Sequence, residues 1–415
     1  MNDASHPATR VWPLVLAATA MLMITMGVRQ SMGLFVAPIG RSSGLSVAQI
    51  SFALAIGQFV WGAVQPVFGA IADQRGPGRV LVAGGVLLAA GLVLAPAFAS
   101  EWGLLLTLGV LSAAGAGAGS FSILIGATAR HMPPEKRSMA AGVINAGGSF
   151  GQFLFAPLVQ AVISAAGWAA AMWTLAVSAL ATLPLAWPLR RRAGDAHATP
   201  HATAAPSPGL REQLRIAVRD RSYWMLHLGF FTCGVHIAFL VTHLPGEIAL
   251  CGLPASVSAV SLALIGLFNV AGSLGAGWLG QRMRMKTLLA AMYASRAVMI
   301  AIYLVSPPTP LTFFVFSAGL GLTWLATVPP TAGLVGKLFG PRYLGTLFGL
   351  TLLSHQLGGF FGAWIGGVVL ERFGDYNWMW YADMTLALLA AAANLPIREQ
   401  RPMPLPATQP LPESP

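Results

Sequence analysis

The chain alternates long apolar stretches with short polar turns, and this pattern restricts its fold more than any other feature. Twelve such stretches can be laid out, at approximately 12–38, 46–72, 78–98, 102–126, 138–164, 167–189, 222–245, 255–280, 286–306, 311–336, 343–370 and 378–397. A bilayer core about 30 Å thick needs roughly 20 apolar residues for each helical crossing, so each stretch is long enough for one. A closed barrel would show short alternating segments instead. With 56% of 415 residues hydrophobic, 9% charged and a mean hydropathy of +0.69, an all-α, polytopic membrane protein is expected. The first stretch is too long for a signal peptide and is kept as a membrane helix.

The formal net charge of +11 raises the question of a nucleic-acid partner. With the N-terminus placed inside, only Arg41 and Arg372 fall outside, and Arg29 and Arg296 fall within spans. The other 20 of the 24 basic residues lie on the cytoplasmic side. The basic balance is therefore a positive-inside signal, and no nucleic-acid partner is expected. The expected location is the plasma membrane, or the inner membrane of a double-membraned bacterium, with both termini cytoplasmic. Two cysteines, Cys233 and Cys251, imply neither a disulfide nor a metal framework.

Residues 190–209, "RRRAGDAHATPHATAAPSPG", read as a flexible linker. The segment "LREQLRIAVRDR" after it places Leu210, Leu214, Ala217 and Val218 on one helical face, which suits either the membrane surface or a solvated end to the linker. The expected organisation is a bundle at 1–189, a linker at 190–221, a second bundle at 222–397 and a tail at 398–415. An internal repeat supports two equal halves. "GVRQSMGLFVAP" (27–38) aligns with "GVHIAFLVTHLP" (234–245), and "AAGVINAGGSFG" (140–151) with "LFGLTLLSHQLG" (347–358), both at an offset of 207. "GAIADQRGPGR" (69–79) meets "GWLGQRMRMK" (277–286) at 208. Two six-helix bundles rocking about a midplane site is the architecture of secondary transporters.

"GAIADQRGPGR" resembles the loop between helices 2 and 3 of the major facilitator superfamily, with Gly69, Asp73, Arg75, Gly76 and Arg79 on the motif positions. The resemblance implies a cytoplasmic latch between the bundles; in the second copy Gln281 replaces the acid and Arg284 the inner glycine. Within that superfamily the chain is similar to the monocarboxylate transporter and oxalate–formate antiporter branch. The features that carry this are "GLFVAPI" closing helix 1, "AGGSFG" in helix 5 and "FGLTLLSHQLGG" in helix 11. The oxalate branch holds a cavity lysine where this chain has His355, and the arginine that many members carry in helix 8 is absent.

A mid-membrane arginine costs ~3 kcal/mol or more, so it faces a wet cavity or a partner. Arg29 lies about 25 Å along its helix, and its planar fork suits a carboxylate; a structural pair or a snorkel to the outer interface is the other reading. His236, the repeat counterpart of Arg29, and His355 are candidates for substrate binding and for proton coupling, with His243 a further coupling candidate. Gln58, Asn145 and Gln356 join Arg29, His236 and His355 as the expected substrate-binding set. Gln30, Gln65, Gln152 and Asn269 are further polar span residues, for which hydrogen bonding between helices is the simpler role. Only Asp383 lies clearly within a span, and Arg296 is the expected structural partner for it. Pro329 and Pro330 should break helix 10 near Trp324.

Neither a phosphate-binding glycine loop, nor a metal-ligand cluster, nor a nucleophile with a base is evident, so no enzyme activity, cofactor or metal is expected. The expected function is gradient-driven transport of a small organic anion, a mono- or dicarboxylate, by a monomer in membrane lipid. Either proton symport or anion exchange would drive it. An efflux carrier for amphipathic compounds is the alternative, and a non-transporting sensor on the same scaffold a third.

Overall fold

The structure, a computed structural model, describes residues 12–129, 134–190, 209–340 and 343–399, without the side chains at 73, 74, 129 and 134–139. Every regular element among them is helical. Among the described residues nine helical stretches are long and apolar enough to cross a membrane by length and composition. One of these, Ala140–Leu189, is a double crossing that turns at Gly167 (φ 83°), where a residue with a Cβ would be strained. Leu344–Phe373 and Asn377–Asn394 supply two more helices, less apolar because they carry His355, Gln356 and Asp383. Spans 1 to 12 are numbered in chain order.

Local chemistry sets the turns. Span 1 (Trp12–Ser43) runs past its expected end and stops at Gly44, whose φ of 73° caps the helix. Ser46 and Gln49 form a reciprocal capping box that starts span 2, Val47–Arg75. Gly76 (φ 87°) then Pro77 turn the chain into span 3, Pro77–Leu94. Spans 7, 8 and 9 are Arg221–Leu250, Ala255–Arg282 and Met285–Val305.

Among the described residues four spans are discontinuous, span 6 only by a one-residue turn at Ala181. Span 1 breaks after Gln30, passing through a turn at Ser31 and the tight helix Met32–Phe35. Span 4 begins at Glu101 and is interrupted at Gly119–Ser120, the end of the "GAGAGS" run. Span 10 is split into Pro310–Thr323 and Val328–Phe339, the break falling just before Pro329 and Pro330 as expected. Broken membrane helices persist where protein groups take up the freed backbone atoms.

The repeat is visible in the packing. A Cβ at Gly151 would meet the Met23 carbonyl, seating span 5 on span 1, and one at Gly358 would meet the Phe231 carbonyl, seating span 11 on span 7. These two glycines were paired by the offset of 207, and each permits backbone contact between the same helices of its bundle. The result is two six-helix bundles. Between them span 2 faces span 11, and span 5 faces span 8, where Asn269 donates to Ser149 at 2.8 Å.

The end where span 1 begins is termed proximal and the opposite end distal. Distally the bundles close: Glu371 accepts from the Ala48 N–H at 2.8 Å, Phe52 packs edge-on to Trp364 at 5.6 Å, and Gly33 lies against the Val241 carbonyl. In the proximal halves, Gly69, Gly142 and Gly349 face open space. Residues 191–208 of the expected linker and the tail from 400 lie outside the described residues. The helix Leu210–Arg219 is present, turning Gln213 and Ala217 inward; Leu210 and Val218, expected on that face, are exposed.

Candidate functional site

Arg29 sits one residue before the break in span 1, partly buried. Its Nη2 donates to Gln58 Oε1 on span 2 and to Gln356 Oε1 on span 11 at 3.4 Å, so one guanidinium touches both bundles. Its face lies 4.2 Å from the centre of the Trp61 ring. Gln58 and Trp61 are three apart on one helix and therefore share a face. A cavity of about 40 Å³ opens beside Arg29, lined also by Gln58, Ser112, Val241 and Thr242.

The electrostatics of this arrangement are lopsided. Among the described residues no carboxylate pairs with Arg29, and its Nη1 and Nε have no partner. Two neutral amides and an indole face hold the cation without cancelling it. A cation so placed attracts an anion, and the guanidinium offers planar, directional donors to a carboxylate.

His355, next to Gln356, accepts at Nδ1 from the Gln356 amide Nε2 at 3.1 Å. Its ring turns into the second bundle against Phe230, at 5.1 Å, on the side of Cys233. His236 does not face Arg29. It is buried inside the second bundle with Nδ1 2.5 Å from Asp383 Oδ2 on span 12.

The expected pairing of Arg296 with Asp383 therefore needs correction. Arg296 donates to the carbonyls of Thr323 and, at 2.7 Å, Trp324, and to Cys233 Sγ at 3.3 Å, while Asp383 contributes at longer range. The physical reason is the break in span 10, which frees those carbonyls in a region without water and gives the guanidinium acceptors to satisfy.

His243 bridges span 7 to the Ala363 carbonyl at 2.7 Å and the Tyr376 hydroxyl at 3.2 Å, near the distal end. Asn145 is partly exposed a turn before Ser149, and no hydrogen bond joins it to Arg29. Gln65 pairs with Ser122 at 2.8 Å, and Asn269 bridges to Ser149 and the Leu325 N–H. These two serve helix contacts, the simpler of the roles expected. In the loop motif, Gly76 makes the turn and Arg75 and Arg79 are exposed, while the Asp73 side chain lies outside the described residues. Sequence reasoning passed over Trp61 and Cys233; the three-residue spacing of Trp61 from Gln58 was the available signal for the first.

Comparison with known proteins bears on the family and the fold. Residues 15–363 match the family described as the Major Facilitator Superfamily. The chain is 27% identical over 377 residues to monocarboxylate transporter 13 of Rattus norvegicus, covering 88% of this chain and 84% of that one. It is 24% identical over 372 residues to the oxalate:formate antiporter of Oxalobacter formigenes, covering 87% and 85%. Among solved structures, a D-xylose–proton symporter superposes with a TM-score of 0.74 at 14% identity, covering 94% of this chain and 98% of that one.

Proposed function

The chain belongs to the major facilitator superfamily, and from that membership we propose that it is a secondary transporter of a small organic anion, a mono- or dicarboxylate, working by alternating access. The observation that carries this reading is Arg29, a cation at the bundle interface held only by neutral groups among the described residues. Gln58 and Gln356 complete the binding site, one from each bundle, so a ligand that engages all three ties its own binding to the relative position of the bundles. The resemblance to proteins named for monocarboxylates and for oxalate and formate supports the same chemistry.

His355 stands behind Gln356 and orients its amide, and Asn145 lines the path towards the proximal end. On the positive-inside distribution the proximal end is cytoplasmic, which makes the closed distal end the outer gate and leaves the site reachable from inside. Gly69, Asp73, Arg75, Gly76 and Arg79 form the latch that closes the proximal end in the opposite state. The protein works as a monomer in the lipid of the plasma or inner membrane.

Uptake of radiolabelled formate, oxalate and lactate into liposomes containing purified protein tests the reading. Saturable uptake of at least one, competed by the unlabelled acid, is expected. Failure of all three, together with export of lipophilic cations, would replace it with amphipath efflux.

A further inference from the structure

We propose that His236 and Asp383 form a proton-binding site inside the second bundle, separate from the cavity at Arg29 and with polar side chains lying between the two. The inference rests on the transport reading above and adds to it the place where a coupled proton resides.

Asp383 is the only carboxylate placed well inside a span among the described residues, and it is 1% exposed. A buried acid in a membrane needs compensation, and here it has two sources: His236 at 2.5 Å and the charge of Arg296. Arg296 and an ionised Asp383 cancel, so the cluster is neutral while His236 is neutral and carries +1 when His236 is protonated.

The atoms say where the proton goes. An ionised carboxylate only accepts, so the Nδ1 that meets Asp383 carries hydrogen and Nε2 is left with its lone pair. His236 Nε2, Asp383 Oδ1 and Arg296 Nε are buried and have no hydrogen-bond partner among the described residues. A proton from one side of the membrane binds Nε2 without breaking any existing bond. It leaves from the same atom to the other side, and the Nδ1–H bond to Asp383 steadies the imidazolium in between.

Polar side chains lie between the cavity and the pair, in hydrogen-bonded contact from Arg29 to His355 and again from Cys233 to Arg296, with Arg296 acting on Asp383 through its charge. Arg29 contacts Gln356, Gln356 contacts His355 at 3.1 Å, His355 turns to the side of Cys233, and Cys233 accepts from Arg296 at 3.3 Å. An anion that takes the Nη2 donor of Arg29 from Gln356 disturbs the first of these contacts. The anion at one end and the proton at the other offset each other's charge.

Span 9 presents Arg296 and Tyr293, span 11 His355, and span 7 itself Cys233; span 10 offers the Trp324 ring, 5.8 Å from His236. Further along the same spans towards the distal end lie His243 and Glu247 of span 7, Tyr303 of span 9 and Tyr376 before span 12. Span 8 carries no ionisable residue until Arg282 at its end, and Met32–Phe35 of span 1 carries none.

The test reads two modes in liposomes with radiolabelled formate, oxalate and lactate: exchange at equal pH, and accumulation driven by a pH gradient. Asp383→Asn and His236→Gln are expected to keep exchange and to lose about 10-fold or more of gradient-driven accumulation. Wild-type accumulation in either variant overturns the site. The double variant His236→Asn/Asp383→Asn, a neutral hydrogen-bonded pair, replaces any single variant that fails to fold. If the wild-type protein exchanges none of the three anions, the substrate reading fails instead. Infrared titration of the protein in detergent then decides the proton site alone. An imidazolium band that titrates in wild type and is lost in His236→Gln supports it, and its absence from the wild type overturns it.

Discussion

At the scale of single residues, Arg29 carries the argument because its charge is held but not cancelled. A hydrogen bond to a charged group contributes ~1.5–3 kcal/mol, so Arg29→Ala is expected to weaken anion binding by about 10- to 100-fold. Arg29→Lys keeps the charge, loses the planar fork and should recover only part of that affinity. Isothermal titration in detergent measures both; unchanged affinity in Arg29→Ala removes the site assignment. Trp61→Leu should cost less, about 1 kcal/mol for the lost ring face, or roughly 5-fold. Arg29 was legible in the sequence because a lone cation in an apolar run needs a reason. Trp61 was not, since an indole in a membrane helix ordinarily meets lipid or core.

At the scale of elements, close approach and interruption decide what each helix can do. Gly234 lies against the His355 carbonyl, whereas Gly349 has open space where a Cβ would go. Gly234→Ala is therefore expected to destabilise by ~1–3 kcal/mol through forced separation of spans 7 and 11. Gly349→Ala should be neutral or gain about 0.5 kcal/mol. Thermal unfolding in detergent separates the two, and equal effects would contradict the packing described. The break in span 10 makes a sharper case. Arg296 satisfies the Thr323 and Trp324 carbonyls that the break releases, so Arg296→Leu leaves them unpaired and is expected to cost about 3–5 kcal/mol. A folded variant with unchanged melting temperature would show the guanidinium to be dispensable there. The prolines predicted the break; only the assembled bundle showed which side chain meets it.

At the scale of the whole molecule, contacts at the two ends set which side of the site is sealed. Past span 12, Glu399 accepts from the N–H groups of Met285 and Lys286 and pairs with Lys337, tying the segment after span 12 to spans 9 and 10. Partial burial works against its ionisation, but Lys337 and the two N–H groups prevail and hold the carboxyl below the usual carboxylate range. Because the folded value is the lower one, this stabilisation is present above the ordinary carboxylate range and is lost as pH falls through the depressed value. Glu399→Gln should thus lower the melting temperature at pH 7 by roughly 1–2 °C, about 1 kcal/mol or less for a pair partly open to solvent. The difference should shrink as pH falls through the depressed value; a difference that grows on acidification would contradict the sign. At the distal end Gly33→Leu cannot fit against the Val241 carbonyl. Cysteine probes at positions 48 and 371 should then label faster than in the parent; equal rates would show that this contact does not seal the distal end.

The sequence by itself determined that this is a polytopic helical membrane protein of two related halves, because hydropathy and a repeat at one offset are written along the chain. It also singled out Arg29, Gln58 and Gln356, polar residues whose cost in lipid demands a purpose. What it paired wrongly were groups distant in the chain: Arg29 with His236 across a cavity, and Arg296 with Asp383. The repeat equates positions on two helices but not the directions of their side chains. Only the tertiary structure turned His236 toward span 12 and Arg296 toward the break in span 10. Those choices follow from which buried acceptors lacked a partner, and that becomes known only once the helices are packed.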